Sequence, residues 1–362
     1  MSWTERLAAA TLIAISVAAA VAVAEVGYAL LPKSAPPHMF EHRYPLYWGG
    51  GPIFRNEGRI FTYAPSRRFR AVAYYDVGGR WLREYDYEVA TNNHGLVQHA
   101  DIVPGKPSIL FLGDSFTEGV GAPPWIDGLT ATLRNSPFQF VNGGMLGTGP
   151  AQWLLLHEYL ADQGLRPAKV VVIFISDDFL RDVWNHPEYT LRCIEMPTSC
   201  VGNESFYGMP EQGNMLEFLG RLRRYRQQAL GPKDLKTRLA NKFPATHLAY
   251  RTAKDLVGVK PAEVRLNEEA IRTLISRYKS DALFIHLPQV DEIVLGRTHR
   301  IGMQGRELIR RNGGEVVDGS RCQLTRNDYF QHDAHPNSRG YEKISSCVQD
   351  IILRKWLVLS EK

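Results

Sequence analysis

The chain has 362 residues, of which 44% are hydrophobic and 22% are charged, so a globular core is expected. The formal net charge is +5 at pH 7, and the basic residues form no long tract, which argues against a nucleic-acid-binding protein. The length fits one enlarged α/β domain or a domain that carries an insertion.

The N-terminal segment is apolar and carries no charge from Leu7 to Ala24. At about 1.5 Å of rise per residue, these 18 residues just cover the apolar core of a bilayer. The sequence AVA at 22–24 also matches the small-x-small pattern of a signal-peptidase site. The apolar run resumes after Glu25, and its length favours an uncleaved anchor. We therefore expect a single-pass signal anchor over residues 1–31 in the inner membrane, with the remainder in the periplasm or outside the cell; secretion after cleavage is the alternative.

The next segment combines a linker-like composition with an alternating pattern. Residues 32–60 are rich in proline, glycine and aromatic residues, which is typical of a linker. Arg80 to Leu96 alternates enough to predict extended strands with a turn near Asn92. We expect residues 32–100 to form a linker and an N-terminal extended segment, ahead of a domain over residues 101–362.

From residue 107 onward, short apolar runs alternate with helical periodicity. The predicted strands are PSILFLG, PFQFVNGG, AKVVVIFI, DALFIHLP and GGEVVDG, which begin at residues 107, 137, 168, 281 and 313. Helices are predicted over PPWIDGLTATLRN, over PAQWLLLHEYLADQGL and from about Ser338. This alternation predicts a parallel sheet covered on both faces, and five strands favour a doubly wound, flavodoxin-like α/β fold. Residues 180–264 interrupt the alternation and are predicted to be an insertion after the third strand.

The chain contains four cysteines, namely Cys193, Cys200, Cys322 and Cys347. An even number in an exported chain suggests disulfides, but three pairings exist and the spacing does not select one. No CxxC spacing is present, so the cysteines do not predict a metal site.

Residue types suited to acyl transfer follow the first and last predicted strands. Ser115 lies where the first core strand stops, and Asp333 and His335 lie near the C-terminus. A serine hydroxyl becomes a good nucleophile when an imidazole accepts its proton and a carboxylate fixes the tautomer of that imidazole. The alternative is structural, because Ser115 followed three residues later by Glu118 also fits a helix-capping box.

Three segments together resemble the sequence blocks of the GDSL/SGNH hydrolase family. FLGDSFTEG at 111–119 resembles the first block, VNGGMLGTGP at 141–150 the second, and DAHPNSRGYEKIS at 333–345 the last. The resemblance covers roughly residues 107–180 and 281–355 and implies a three-layer α/β/α domain with the SGNH hydrolase fold. Members of this family are esterases, lipases and carbohydrate O-acyl esterases or transferases. A membrane span before such a domain is similar to the anchored, periplasm-facing branch.

The resemblance also implies roles for individual residues. Ser115 would be the nucleophile, His335 the general base and Asp333 its orienter, while the N–H groups of Ser115 and Gly144 would face the oxyanion. Asp177 stands where the third block of the family carries an asparagine that completes the oxyanion hole. An ionised carboxylate at that position would repel the oxyanion, so Asp177 contributes only if it is protonated, and otherwise it turns away.

We therefore expect a membrane-anchored, envelope-facing esterase or O-acyltransferase that acts on acyl esters of carbohydrate, chiefly acetyl esters, through an acyl-Ser115 intermediate. The alternatives are a catalytically weakened glycan- or partner-binding protein, which Asp177 favours, and a phospholipid lipase. No cofactor, metal ion or nucleic-acid partner is expected. We interpret His286 as a structural histidine, His332 as a bystander, and the basic run RLRRYR at 221–226 as a solvated helix face.

Overall fold

The computed structural model describes residues 3–30, 43–49, 51–58, 60–183, 185–202, 204–211, 213–229 and 262–357. Its strands are β1 (Arg43–Trp48), β2 (Phe54–Glu57), β3 (Ile60–Tyr63), β4 (Arg68–Val77), β5 (Arg80–Ala90), β6 (Ser108–Gly113), β7 (Gln139–Gly144), β8 (Pro167–Phe174), β9 (Tyr207–Gly208), β10 (Ala282–His286) and β11 (Glu315–Asp318). Its α-helices are α1 (Trp3–Leu30), α2 (Ser115–Glu118), α3 (Trp125–Thr132), α4 (Pro150–Asp162), α5 (Glu188–Glu195), α6 (Met215–Ala229), α7 (Ala262–Tyr278), α8 (Val290–Leu295), α9 (Arg300–Arg311) and α10 (Ser338–Ile352). Short 3₁₀ turns cover Ser176–Leu180, Pro197–Ser199, Lys279–Asp281, Gly319–Cys322 and Arg326–Asp328, and a π-helical turn, Leu353–Leu357, follows α10.

The apolar N-terminal segment is helical, as α1. Residues 1–36 group with residues 227–261 in one compact unit, and residues 37–226 and 262–362 form a second. In the part of the chain that the structure describes, no helix has both the length and the apolar character needed to cross a membrane. The predicted transmembrane helix therefore has no support from the structure.

The larger unit is built on a five-stranded sheet with the strand order β11-β10-β8-β6-β7, in which every neighbouring pair is parallel. Numbered in chain order, these five strands lie in the order 2-1-3-4-5, which is the flavodoxin-like order that the sequence predicted. The chain direction reverses between β6 and β8, because β7 lies on one side of β6 and the later strands lie on the other. Ligands bind at such a switch point, beyond the carboxyl ends of the strands.

Both faces of the parallel sheet are buried, which confirms the predicted α/β/α layering. On one face, Ile109 and Phe111 of β6 belong to a core cluster with residues of α3 and α10. On the other face, Leu110 and Leu112 pack in a second cluster with α4 and α7. Because successive side chains of a strand point to opposite faces, a strand buried on both sides is apolar throughout.

A second sheet lies within the same compact unit, with the order β5-β4-β1-β9. The predicted strand over Arg80 to Leu96 is present as β5, but the linker predicted over residues 32–60 is wrong where it is described, since β1 and β2 lie there. The aromatic residues that resembled a linker composition are core residues, as shown by Tyr44 and Tyr47, which are 2% and 6% exposed. The edge strand β9 comes from the predicted insertion and pairs parallel to β1.

Two disulfides are formed, and they select one of the three pairings. Cys193–Cys200 joins residues seven apart inside the insertion, and Cys322–Cys347 joins residues 25 apart. The second bond ties the turn before the His335 loop to α10. Residues 230–261 of the predicted insertion lie outside the described residues.

The basic run at 221–226 is not the solvated helix face that the sequence predicted. Arg223 forms an ion pair with Asp76 at 3.2 Å. Arg226 lies 4.3 Å from the centre of the Tyr44 ring and donates a 2.7 Å hydrogen bond to the hydroxyl of Tyr207. These cations hold α6 against the aromatic residues of the second sheet, so they are structural.

Candidate active site

Ser115 lies at a sharp turn between β6 and α2. The side chain of Asp114 accepts a 2.9 Å hydrogen bond from Phe116 N–H and caps the helix. The capping-box interpretation of Ser115 is therefore wrong, because Ser115 is the first residue inside the helix. The turn requires glycine at position 113, since a Cβ there would lie 1.9 Å from Thr117 Oγ1.

The structure brings Ser115, His335 and Asp333 together. His335 Nε2 lies 2.8 Å from Ser115 Oγ, and His335 Nδ1 is hydrogen bonded to Asp333 Oδ1. All three residues are buried, with Ser115 and His335 each 6% exposed and Asp333 3% exposed. Ser115 Oγ also lies 3.3 Å from Asp114 Oδ2, which is a longer contact than that to the imidazole.

The loop that carries His335 is fixed by hydrogen bonds at both ends. Tyr329 and Pro336 form an antiparallel bridge, and Phe330 N–H donates to His335 O at 3.1 Å. Asn337 then caps α10 by accepting from Gly340 N–H at 3.1 Å. The imidazole is thus attached to a loop whose geometry is set by the fold, so it does not need to move far to reach Ser115.

The charge and tautomer of this group suit general base catalysis. A carboxylate only accepts hydrogen bonds, so the bond to Asp333 assigns a proton to His335 Nδ1 and leaves the Nε2 lone pair facing Ser115. Burial alone would raise the pKa of Asp333. The charges of His335 and Arg43 and the hydrogen bonds from His335 and Tyr75 outweigh burial and hold that pKa well below its ordinary value. Asp333 is therefore ionised at neutral pH.

Two partners of Asp333 were not found from the sequence. Tyr75 OH donates to Asp333 Oδ2 at 2.7 Å, across 258 positions of the chain. Arg43 Nε lies 3.3 Å from the same oxygen. Both belong to the second sheet, and no local pattern could have indicated them, because their proximity depends on how the two sheets pack.

The predicted oxyanion donors are placed differently from one another. A Cβ on Gly144 would lie 2.2 Å from Glu118 N, so this glycine packs directly against α2. Its N–H, however, donates to the side chain of Asn142 at 3.0 Å. Among the described residues, the Ser115 N–H has no assigned acceptor, so it is the predicted donor that stands ready for an oxyanion.

Asp177 makes its contacts with Gln289. Its carboxylate accepts from Gln289 Nε2 at 2.9 Å, and its N–H donates to Gln289 Oε1 at 3.2 Å. The sequence left two outcomes for Asp177, either a protonated donor or a side chain engaged elsewhere. The pairing with an amide nitrogen agrees with the second outcome, because it uses Asp177 as an acceptor.

Buried acids surround the serine turn. Burial raises the pKa of Glu118 to about 8, and its carboxyl accepts from Tyr63 OH and Leu146 N–H, each at 2.6 Å. Burial, together with the nearby charge of Asp114, also raises the pKa of Asp178 well above its ordinary range. These acids are structural, since they hold backbone groups next to the candidate nucleophile.

A second serine–histidine pair lies at the ends of β8 and β10 and is unsuited to nucleophilic catalysis. His286 Nδ1 accepts a 2.6 Å hydrogen bond from Arg306 Nε, so its proton is on Nε2, which faces Ser176 Oγ at 3.1 Å. Ser176 in turn donates to Glu292 at 2.6 Å. His286 therefore has no lone pair to offer Ser176, and the interpretation of His286 as a structural residue agrees with the structure.

No protein-family profile matches the chain, and no curated protein matches it. Three solved structures are similar to it. An esterase, EstA, from Pseudoalteromonas sp. has 12% identity, covers 70% of this chain and 99% of its own, and gives a TM-score of 0.37. A catalytic mutant of the acetylxylan esterase Axe2 from Geobacillus stearothermophilus has 13% identity, covers 70% and 95%, and gives 0.33. A member of the lipolytic G-D-S-L family from Veillonella parvula has 13% identity, covers 68% and 98%, and gives 0.33. Likeness at this level establishes neither a family nor an activity for the chain.

Proposed function

We propose that the protein is a serine acyl hydrolase or O-acyltransferase of the GDSL/SGNH type. The observation that supports this most strongly is the 2.8 Å contact between His335 Nε2 and Ser115 Oγ, in which the imidazole is oriented by the buried Asp333. These two segments are 220 positions apart, and their meeting supplies the nucleophile, the base and the orienting carboxylate that acyl transfer needs.

In the proposed reaction, Ser115 Oγ attacks the carbonyl carbon of an ester while His335 Nε2 takes the hydroxyl proton. Asp333 stays ionised and stabilises the imidazolium that forms. The Ser115 N–H donates to the oxyanion of the tetrahedral intermediate. His335 then returns the proton to the leaving alcohol oxygen as the C–O bond breaks, which leaves an acyl-Ser115 ester. Water, or the hydroxyl of a second alcohol, is next deprotonated by His335 and attacks the acyl group to release Ser115.

The proposed substrates are small acyl esters, chiefly acetyl esters of carbohydrate. The low exposure of Ser115 and His335, 6% each, supports a short acyl group, because little open space surrounds the hydroxyl. The carbohydrate part of the proposal is supported by the one-residue spacing of Asp333 and His335, which resembles family branches that include polysaccharide acetyltransferases. Water as the final acceptor makes the protein an esterase, and a sugar hydroxyl makes it a transferase.

We also propose that the larger unit works outside the cytoplasm, attached through the N-terminal segment or secreted. The two disulfides support this location, because such bonds persist chiefly in oxidising compartments.

The test is covalent labelling of the protein with a fluorophosphonate, together with turnover of p-nitrophenyl acetate. The wild type is expected to label once and to turn over the ester, and Ser115→Ala is expected to lose both. Ser176→Ala is the matched control, since Ser176 also contacts a histidine but lacks a base, so it should keep the label. Equal labelling of wild type and Ser115→Ala would contradict the proposal.

A second candidate is a glycan-binding protein that has lost catalytic power. Two observations favour it: the N–H of Gly144 is occupied by Asn142, and Asp177 presents an acceptor where a donor is expected. Wild-type protein that neither labels nor turns over an activated ester, yet binds an acetylated glycan in calorimetry, would support this candidate over the enzyme.

A further inference from the structure

The carboxylate of Asp333 has two sides, and each side is used by a different part of the fold. Its Oδ1 faces His335, while its Oδ2 accepts from Tyr75 OH at 2.7 Å and lies 3.3 Å from Arg43 Nε. Asp333 itself is 3% exposed, so water contributes little to its solvation. A buried carboxylate is stable only when its oxygens are hydrogen bonded or paired with a cation.

The second sheet brings Tyr75 and Arg43 to the same place. In the antiparallel pair of β1 and β4, Arg43 stands directly opposite Tyr75, and directly opposed residues project from the same face of a sheet. Arg43 also hydrogen bonds to Tyr85 of β5, which fixes the guanidinium from its other end. Three neighbouring strands therefore present one polar cluster, Arg43, Tyr75 and Tyr85, toward Asp333.

This cluster differs from an ordinary surface ion pair. The side chains of Arg43 and Asp333 are 13% and 0% exposed, so solvent screens their interaction only weakly. Tyr75 has its largest pKa perturbation from burial, followed by the charge of Asp333, which agrees with a neutral hydroxyl that donates to an ionised carboxylate.

We infer that Tyr75 and Arg43 are positioning residues for acyl transfer, which hold the Asp333 carboxylate ionised and in the one orientation that directs His335 Nε2 at Ser115. The inference rests on the proposed function. It makes the second sheet part of the working site, although Ser115, His335 and Asp333 all come from the parallel-sheet portion of the chain.

The groups that face Asp333 predict the direction of the effects. They are His335 on its own loop, Tyr341 of α10, and the cluster of Arg43, Tyr75 and Tyr85 from the second sheet. Removal of the Tyr75 hydroxyl or of the Arg43 charge leaves Asp333 a stronger partner for the imidazolium. The acidic limb of the kcat/KM profile should therefore move to higher pH.

The experiment compares Tyr75→Phe and Arg43→Met with Tyr74→Phe in the full-length protein. Tyr74 is the next residue of β4 and packs in a different cluster, against the insertion, so it is a matched control. With p-nitrophenyl acetate, Tyr75→Phe should lower kcat about 10-fold at unchanged KM, which is the loss expected for one hydrogen bond to a charged group. The midpoint of the acidic limb should rise by about half to one pH unit in both site variants. Tyr74→Phe should leave both quantities at wild-type values.

A double-mutant cycle separates positioning from general damage to the fold. In an Asp333→Asn background, Tyr75→Phe should change kcat less than about twofold, because the hydroxyl acts only through the carboxylate. A tenfold loss that persists in that background would overturn the inference, as would a Tyr75→Phe protein with the kcat and pH profile of Tyr74→Phe. Fluorophosphonate labelling of the wild type distinguishes the two levels: a labelled, active wild type with unaffected variants refutes only the positioning role, whereas an unlabelled, inactive wild type refutes the proposed function and the positioning role with it.

Discussion

Replacement of Asp333 by asparagine tests the site at its most buried charge. The side chain would keep its size, but it would have one acceptor oxygen in place of two. The present carboxylate accepts from His335 Nδ1, His335 N–H and Tyr75 OH. After the change, at least one of these donors would face an amide N–H, and Arg43, now 3.3 Å from Asp333 Oδ2, would lose its counter-charge.

The expected effect on activity is large. With an amide in place of the carboxylate, the imidazole is no longer held with its proton on Nδ1, so its lone pair is not reliably aimed at Ser115. Loss of this orientation costs about 10⁴-fold in kcat in serine hydrolases, which corresponds to about 5.5 kcal/mol of barrier. The assay is turnover of p-nitrophenyl acetate, with Ser115→Ala as the measure of the uncatalysed background.

The expected effect on stability is separate and can be reversed. Breaking a buried ion pair by removing one partner costs about 3–5 kcal/mol, so Asp333→Asn should lower the free energy of unfolding in urea by that amount. Adding Arg43→Met removes the unpaired cation and should recover about 2 kcal/mol, while activity stays lost. An Asp333→Asn protein as stable and as active as wild type would refute the assignment of Asp333 as a buried, ionised orienter.

Three further outcomes are expected. Because burial raises the pKa of Glu118 to about 8 from an ordinary 4.5, the folded state keeps a proton that the unfolded state releases, and the free energy of unfolding should fall as pH rises from about 4.5 to 8. Glu118→Gln should remove that fall and add about 3 kcal/mol at pH 7 in urea unfolding; a difference that does not vary with pH would contradict this. Gly144→Ala would place a Cβ 2.2 Å from Glu118 N, displace α2 and lower kcat/KM about 100-fold, whereas Gly128→Ala, whose Cβ meets nothing closer than 3.5 Å, should keep full activity; similar kinetics for the two variants would argue against a tight fit at Gly144. Replacing Cys322 and Cys347 by serine opens a loop between residues 25 apart and should cost about 3.5 kcal/mol, measured by thermal and urea unfolding; an unchanged midpoint would show that the bond contributes no stability.

Local patterns were sufficient to predict the parallel-sheet portion of the chain. The five apolar runs predicted from residue 107 onward correspond to β6, β7, β8, β10 and β11, and the final helix begins at Ser338 as expected. These elements are predictable because their strands are buried on both faces, so the requirement for apolar residues is continuous and visible in the sequence. The glycine, aspartate and serine of the opening turn were visible for a similar reason, since the turn between a strand and a helix restricts which residues fit.

The sequence by itself determined which residues could carry the chemistry, namely Ser115, His335 and Asp333, because their types and their places after predicted strands were local facts. Only the tertiary structure decided their partners. Arg43 and Tyr75 reach Asp333 from another sheet, and Asp177 pairs with Gln289 across 112 positions. These contacts depend on how separate elements pack. Packing follows from the total burial of many side chains, so no single stretch of sequence encodes it.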